Sequence, residues 1–249
     1  MIRVLLALAL SVAGPVAGAT LAHARSPLVG QLNAVATRYH EDPARLDTLR
    51  EGLEQAVRDD PDAANFTALS RVSFIWGDVR AKTDEEKLAA YERGRASGRR
   101  AIELEPKAFL GHLWYAINTA RWGQTKGVVR SLFLLPEVKK GMETALELDP
   151  RFPPAYALAG TVYYEVPGLF GGDLEKSEAL FRRGLEVDPH FTGLRVGLAR
   201  TLIKRGRIPE ARRELQAVLD EKAPGNVADW TLKDAPEART LLASLAGRS

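Results

Sequence analysis

Three histidines follow the first 25 residues of this 249-residue chain: His40, His112 and His190. None has a second histidine, a cysteine or a carboxylate at helical spacing on one uninterrupted helix that would aim two ligands at one metal ion. His40 precedes Glu41-Asp42 and His190 follows Asp188-Pro189, positions that suit a surface or capping imidazole. The nucleophile elbow, the Walker loop and the dinucleotide fingerprint are all missing from the sequence. The one glycine-rich loop, Gly168-Leu169-Phe170-Gly171-Gly172-Asp173, could offer backbone amides to an anion at a helix start. Asp173 would repel that anion, so it reads as a helix N-cap. No metal, no cofactor and no reaction centre are expected. What remains is binding chemistry, carried by Trp76, Trp114, Trp122, Tyr156, Tyr163 and Tyr164 with arginines nearby. Tryptophan and arginine suit recognition because each joins a large contact area to a polar handle.

The elements that must position these side chains announce themselves by repetition. Ala56-Val57-Arg58-Asp59-Asp60-Pro61 is echoed by Ala101-Ile102-Glu103-Leu104-Glu105-Pro106, Ala145-Leu146-Glu147-Leu148-Asp149-Pro150 and Gly184-Leu185-Glu186-Val187-Asp188-Pro189. The prolines fall 45, 44 and 39 residues apart. Such a period marks stacked helical repeats, each burying its apolar face against its neighbours. In each phrase a small residue permits close helix approach, and the acidic residue before proline ends the helix. The expected fold is all-α, a solenoid of about eleven to thirteen helices without sheet.

The last unit is the clearest. Leu194, Leu198-Ala199, Leu202, Ala211, Leu215 and Val218 recur at helical steps, Gly206 stops the first helix and Pro209 opens the second. This unit resembles the tetratricopeptide repeat, and the unit with Tyr156, Ala159-Gly160, Tyr163, Phe181 and Gly184 matches it with five extra residues between its helices. The two earlier units carry inter-helix connections about ten residues longer than that frame. One extension, Val128 to Leu135, is too apolar for a solvated loop and is expected to pack on the scaffold or line a cavity. Residues 25–61 read as N-terminal capping helices, 62–224 as four helix pairs and 225–249 as a C-terminal capping helix.

A narrower resemblance rests on Trp76-Gly77-Asp78, His112 to Ala116, and the stretch from Tyr163 through Pro167-Gly168 to Gly171-Gly172-Asp173. These motifs resemble the T component of TRAP-type solute transporters and are also similar to the repeat region of regulator of microtubule dynamics proteins. The first resemblance implies a partner that is a solute-binding protein. In a tetratricopeptide stack the first helices line the concave face. Counting that frame forward places Trp76, Leu113, Ile117, Arg121, Tyr164, Glu165, Arg200 and Lys204 in a partner or ligand groove. Tyr156, Tyr163 and Trp114 are assigned to the core. An open groove lined by the eight residues favours a protein partner. A cavity above about 300 Å3 under residues 125–136 favours a small apolar ligand instead.

The N-terminus supplies an address. A basic Met1-Ile2-Arg3, an apolar run from Val4 to Ala19 and small-residue sites ending at Ala19 and Ala24 have the layout of a secretory signal peptide, read as residues 1–24. The run is too short for a membrane span. A periplasmic or secreted protein is expected, without disulfides or a lipidated cysteine because the chain has no cysteine. Loss of Arg3 lowers the formal charge from +3 to +2. Arg93, Arg95, Arg99 and Arg100 are flanked by Glu92 and Glu103, so no nucleic-acid partner is expected.

Overall fold

The repeated phrase ends four helices in the same way. Asp60, Glu105, Asp149 and Asp188 adopt φ of −138°, −139°, −141° and −140°, and their amides donate to the carbonyls of Ala56, Ala101, Ala145 and Gly184. The extended acidic residue is what the following proline demands. The computed structural model describes residues 26–247, and the leader read at 1–24 lies outside them. Among the described residues there are twelve helices and no strand. They are α1 (Pro27–Val35), α2 (Arg45–Asp59), α3 (Ala63–Val79), α4 (Asp84–Leu104), α5 (Phe109–Lys126) and α6 (Val128–Leu148), followed by α7 (Pro153–Glu165), α8 (Leu174–Val187), α9 (Thr192–Lys204), α10 (Ile208–Asp220), the single turn α11 (Val227–Asp229) and α12 (Ala235–Ser244). A 3₁₀ turn covers Gly168–Phe170 and a π-type turn covers Trp230–Asp234.

Helices α3 to α10 pack as consecutive pairs, and each pair rests on the next. Start signals agree with the chemistry at each N-terminus. Asp62 accepts the Asn65 amide, Thr83 and Glu86 form a reciprocal capping box, and Asp173 accepts the amides of Glu175 and Lys176. The small residues sit at crossings: Ala101 and Ala145 are fully buried. A Cβ on Gly98 would lie 2.9 Å from the Tyr115 Cα, so α4 and α5 meet backbone to backbone there. Buried hydroxyls and amides tie triplets of helices. Ser70 donates to the Gly94 carbonyl while Asn118 Nδ2 donates to the Ser70 carbonyl, linking α3, α4 and α5. Two helix pairs later, Ser177 donates to the Gly160 carbonyl and meets the Thr201 hydroxyl, linking α8, α7 and α9.

The extra residues of the two early units are helical rather than looped. Helices α3 to α6 run 17, 21, 18 and 21 residues, against 13 or 14 in α7 to α10. Only Gly127, at φ 107°, joins α5 to α6, a backbone setting that glycine tolerates freely. Residues 128–135 are therefore the first two turns of α6. Their apolar side chains divide. Leu132 and Leu135 turn inward, while Val129 and Phe133 stay 84% and 78% exposed. The five extra residues between α7 and α8 do form a connection, the 3₁₀ turn with its flanks.

The two ends are capped as the apolar pattern requires. Leu46, Leu49 and Leu53 of α2 join Leu32 and Val35 of α1 in an N-terminal cluster with α3. Ala238 and Leu245, in and just after α12, complete the C-terminal cluster with α9 and α10. The segment between α10 and α12 is more than a loop. Ala228 is fully buried and belongs to the N-terminal cluster, at the far end of the array.

Candidate concave binding site

The odd-numbered helices α3, α5, α7 and α9 turn one face inward, as the first helices of stacked pairs do. Together with α6 they enclose a half-open cavity of about 900 Å3. Its walls are largely apolar: Phe74 and Ile75 from α3, Trp114, Ile117 and Ala120 from α5, Leu132 and Leu135 from α6, and Ala157, Leu158 and Val162 from α7. Residues 225–233 run across the array and supply its remaining wall through Gly225, Asn226, Asp229 and Lys233.

Charge meets this apolar space at its edges, one of them a smaller cavity of about 200 Å3 that holds Asp78, Thr192 and Asp234 and shares Phe74, Arg121, Asp229 and Lys233 with it. Asp78 accepts from Arg121 at 2.7 Å and from the Tyr91 hydroxyl at 2.8 Å, and Lys233 lies 3.4 Å away. Burial pushes the Asp78 carboxyl up, but Arg121 and Lys233 outweigh it and hold the group below the usual range. Arg121 stacks 5.9 Å from the Phe74 ring centre. Arg71 stands over Trp114 at 5.4 Å and donates to Asn33 at 2.8 Å. Burial lowers the Arg71 pKa, and the field of Asp229 opposes that only in part. On α9, Arg200 meets Glu165 at 2.7 Å and Glu237 at 3.7 Å. Asp234 accepts from the Thr192 hydroxyl at 2.6 Å. Burial, with Asp229 nearby, pushes its carboxyl up to about 6 against the opposing Thr192 hydrogen bond.

The eight groove residues read from the sequence fall into three groups. Ile117, Arg121, Glu165 and Arg200 line the cavity. Tyr164 and Lys204 lie beside it, with the Lys204 ammonium 3.6 Å over the Tyr164 ring and Arg200 at 4.6 Å from the same ring. Trp76 and Leu113 are placed elsewhere. Trp76 turns toward α2, donates to Asp47 at 2.5 Å and carries Arg50 at 3.9 Å over its ring. Leu113 is completely buried with Ala145 and Ala155. Both corrections follow from helix phase: Trp76 is turned about 100° from the cavity-lining Ile75, and Leu113, four residues before the cavity-lining Ile117, is turned about 40° away toward Ala145 and Ala155. Tyr156 and Tyr163 are buried as expected, and buried Trp114 also contributes an edge to the cavity. Phe74, Arg71, Tyr39 and the 225–233 segment also line the cavity, and the repeat frame does not mark them. Asp229 and Lys233, four apart on a turn after Pro224-Gly225, were the available signal.

Two family models match this chain. Regulator of microtubule dynamics protein 1-3 covers residues 31–170, and tetratricopeptide repeat covers 171–245. The chain belongs to the regulator of microtubule dynamics protein 1-3 family. It is similar to regulator of microtubule dynamics protein 3 of Rattus norvegicus, 24% identical over 225 residues covering 80% of this chain and 48% of the relative. It is also similar to regulator of microtubule dynamics protein 1 of Homo sapiens, 30% identical over 127 residues covering 45% of this chain and 40% of the relative. The chain thus spans about half the length of the curated relatives it matches, or less. A crystallised tetratricopeptide-repeat protein of Thermus thermophilus superposes with a TM-score of 0.61 at 21% identity, over 85% of this chain and 95% of that one. The fold is a tetratricopeptide-type solenoid, and of the two resemblances read from the motifs the regulator of microtubule dynamics one is established. Among the described residues no helix is long and apolar enough to cross a membrane.

Proposed function

We propose that this regulator of microtubule dynamics family member is a non-catalytic scaffold that holds an amphipathic segment of a partner protein in its inner cavity. The observation that carries this reading is a single apolar wall flanked by two charged clusters. Asp78, Arg121 and Lys233 meet near Thr192 at the start of α9, and Glu165 and Arg200 meet eight residues further along α9, roughly 12 Å of helix. A helical or extended segment with one apolar face and charged ends would satisfy both. Helical repeats use such inner faces to bind proteins.

The test is capture of partners by the full chain and by Ile117→Lys, with mass spectrometry of what is retained. The half-buried Ile117 can be replaced by a lysine that reaches toward solvent, so stability should change little. Loss of specific prey with an unchanged melting temperature is expected, and equal recovery by both proteins sinks the reading. A solute-binding protein among the prey would support the transport link. A second reading has its own observation. The cavity of about 900 Å3, with Val128, Leu132 and Leu135 in its lining, exceeds the roughly 300 Å3 that favours a small apolar ligand, and native mass spectrometry would show a co-purifying adduct. The layout of residues 1–24 supports a periplasmic or secreted address, which N-terminal sequencing of protein recovered outside the cytoplasm would test.

A further inference from the structure

Residues 226–234 are in contact with parts of the chain almost two hundred positions away. The Ala228 amide donates to the Thr37 carbonyl at 2.9 Å, and the Ala228 methyl is fully buried in the N-terminal cluster. The Tyr39 hydroxyl donates to Asp229 at 2.5 Å. Lys233 pairs with Asp229 at 3.0 Å and reaches Asp78 at 3.4 Å. A backbone hydrogen bond, a pocket for one small side chain and two charged contacts are the components of a peptide-recognition site. Here the chain fills that site with its own C-terminal segment.

The occupant is tied there by polar contacts and by little apolar burial. It contributes a single buried alanine to the N-terminal cluster, and its larger apolar groups belong elsewhere. Trp230 donates to the Val218 carbonyl at 2.8 Å and packs on the C-terminal cluster, and Leu232 is 49% exposed. Pro224-Gly225 precedes the segment, and the π-type turn Trp230–Asp234 follows Asp229. Segments with few buried apolar contacts open at free energies below that of global unfolding, and π-type turns inside helices gather at functional sites.

We propose that Thr37, Tyr39 and Asp78 form a docking site for one helical turn of the pattern Ala-Asp-x-x-x-Lys. Residues 226–234 are its resident occupant, and a partner protein's segment of the same chemistry displaces them to enter the cavity. The proposal rests on the protein-binding reading of that cavity and specifies the partner's chemistry. A tethered occupant acts at an effective concentration in the millimolar range. A free segment therefore competes poorly against the closed chain unless it also uses the apolar wall.

The test uses the full chain and a fluorescent peptide of residues 223–236. Asp229→Ala with Lys233→Ala loosens the resident segment while leaving Thr37, Tyr39 and Asp78 intact. Asp78 keeps Arg121 and Tyr91 as partners. The doubly substituted chain is expected to keep its circular dichroism, to exchange the Ala228 amide at least tenfold faster than wild type, and to bind the peptide at least tenfold more tightly. Adding Tyr39→Phe to that chain should weaken the peptide at least fivefold, and should cost nothing further against a peptide lacking the aspartate. Peptide binding no tighter than by wild type overturns the docking site, as does indifference to Tyr39→Phe. An Ala228 amide that remains as protected as the Leu202 amide in the α9 core, or loss of helical signal, overturns it too, because the segment would then be a fixed wall. Each of these leaves the cavity reading standing, since that is judged separately by Ile117→Lys.

Discussion

Asp234 offers a sharp test of the packing around the crossing segment. Its carboxyl faces the Thr192 hydroxyl from α9, Asp229 and Lys233 from its own segment, and Glu237 from α12. Burial raises its pKa from the ordinary 3.8 to about 6. The folded state therefore holds this proton more tightly than the unfolded chain does. The associated stability is fully present below about pH 4 and is lost as pH rises through about 6. At ~1.36 kcal/mol per pKa unit, the move from 3.8 to about 6 corresponds to about 3 kcal/mol between those limits. Asp234→Asn keeps the shape and an acceptor for Thr192 but removes the ionisation. The stability of the variant minus that of wild type should rise by about 3 kcal/mol from pH 3.5 to pH 7.5. Urea unfolding at four pH values, followed by far-ultraviolet circular dichroism, measures that difference. Asp47, Asp78 and Glu178, whose pKa values are lowered, lose stability as pH falls, but they do so in both proteins and cancel. A difference that stays flat with pH would show that the carboxyl is solvated and that the segment does not pack as described.

Ala145→Leu should destabilise the chain by roughly 1–3 kcal/mol, because the added carbons have no space beside Leu113 and Ala155; an unchanged denaturation midpoint would refute the register of the crossings. Gly98→Ala should cost a similar ~1–3 kcal/mol, since its Cβ would meet Tyr115 backbone at 2.9 Å, and a neutral result would mean that α4 and α5 separate easily. Arg200→Gln with Lys204→Gln should weaken capture of the partner at the cavity rim while shifting the urea midpoint little, because partly exposed pairs contribute about 0–1 kcal/mol each. Recovery of the same prey by both proteins would move the recognition surface away from α9.

Much of the architecture was legible because it is local. The Asp-Pro phrase ends its helix through bonds four residues long, Gly206 and Pro209 mark a turn by their own backbone limits, and Asp173 caps the next helix two and three residues on. The site was legible where the counted helix phase matches the cavity face, on regular and lengthened repeats alike. Arg200 and Glu165 lie on helices of 13 residues, where the 34-residue frame holds, and both line the cavity. Ile117 and Arg121 lie on the 18-residue α5 and line it too, whereas Trp76 and Leu113, turned about 100° and 40° from Ile75 and Ile117 on the same helices, do not. The apolar excess of residues 128–135 pointed to packing on the scaffold or to a cavity, and Leu132 and Leu135 do line the cavity, but from a helix rather than an inter-helix connection. One helix carries these apolar side chains toward both the cavity and solvent, so composition alone could not distinguish a loop from a helix start.

The crossing segment was illegible for a deeper reason, and it changes the physics of the array. A stacked-repeat protein is nearly one-dimensional: each unit contacts its neighbours, and stability adds along the stack. Curvature alone does not couple the two ends. Here Asp229 bonds Tyr39 across 190 positions, and Ala228 enters the cluster built by α1, α2 and α3. No repeat period encodes that contact, because it depends on the summed rotation of four helix pairs. The longer helices α3 to α6 add depth to the space being enclosed, and the crossing segment converts an open inner face into a cavity with a fourth wall. Ligand occupancy and end-to-end coupling are then linked: whatever enters must accommodate or displace residues 226–234, and whatever loosens those residues returns the array to independent, neighbour-only repeats.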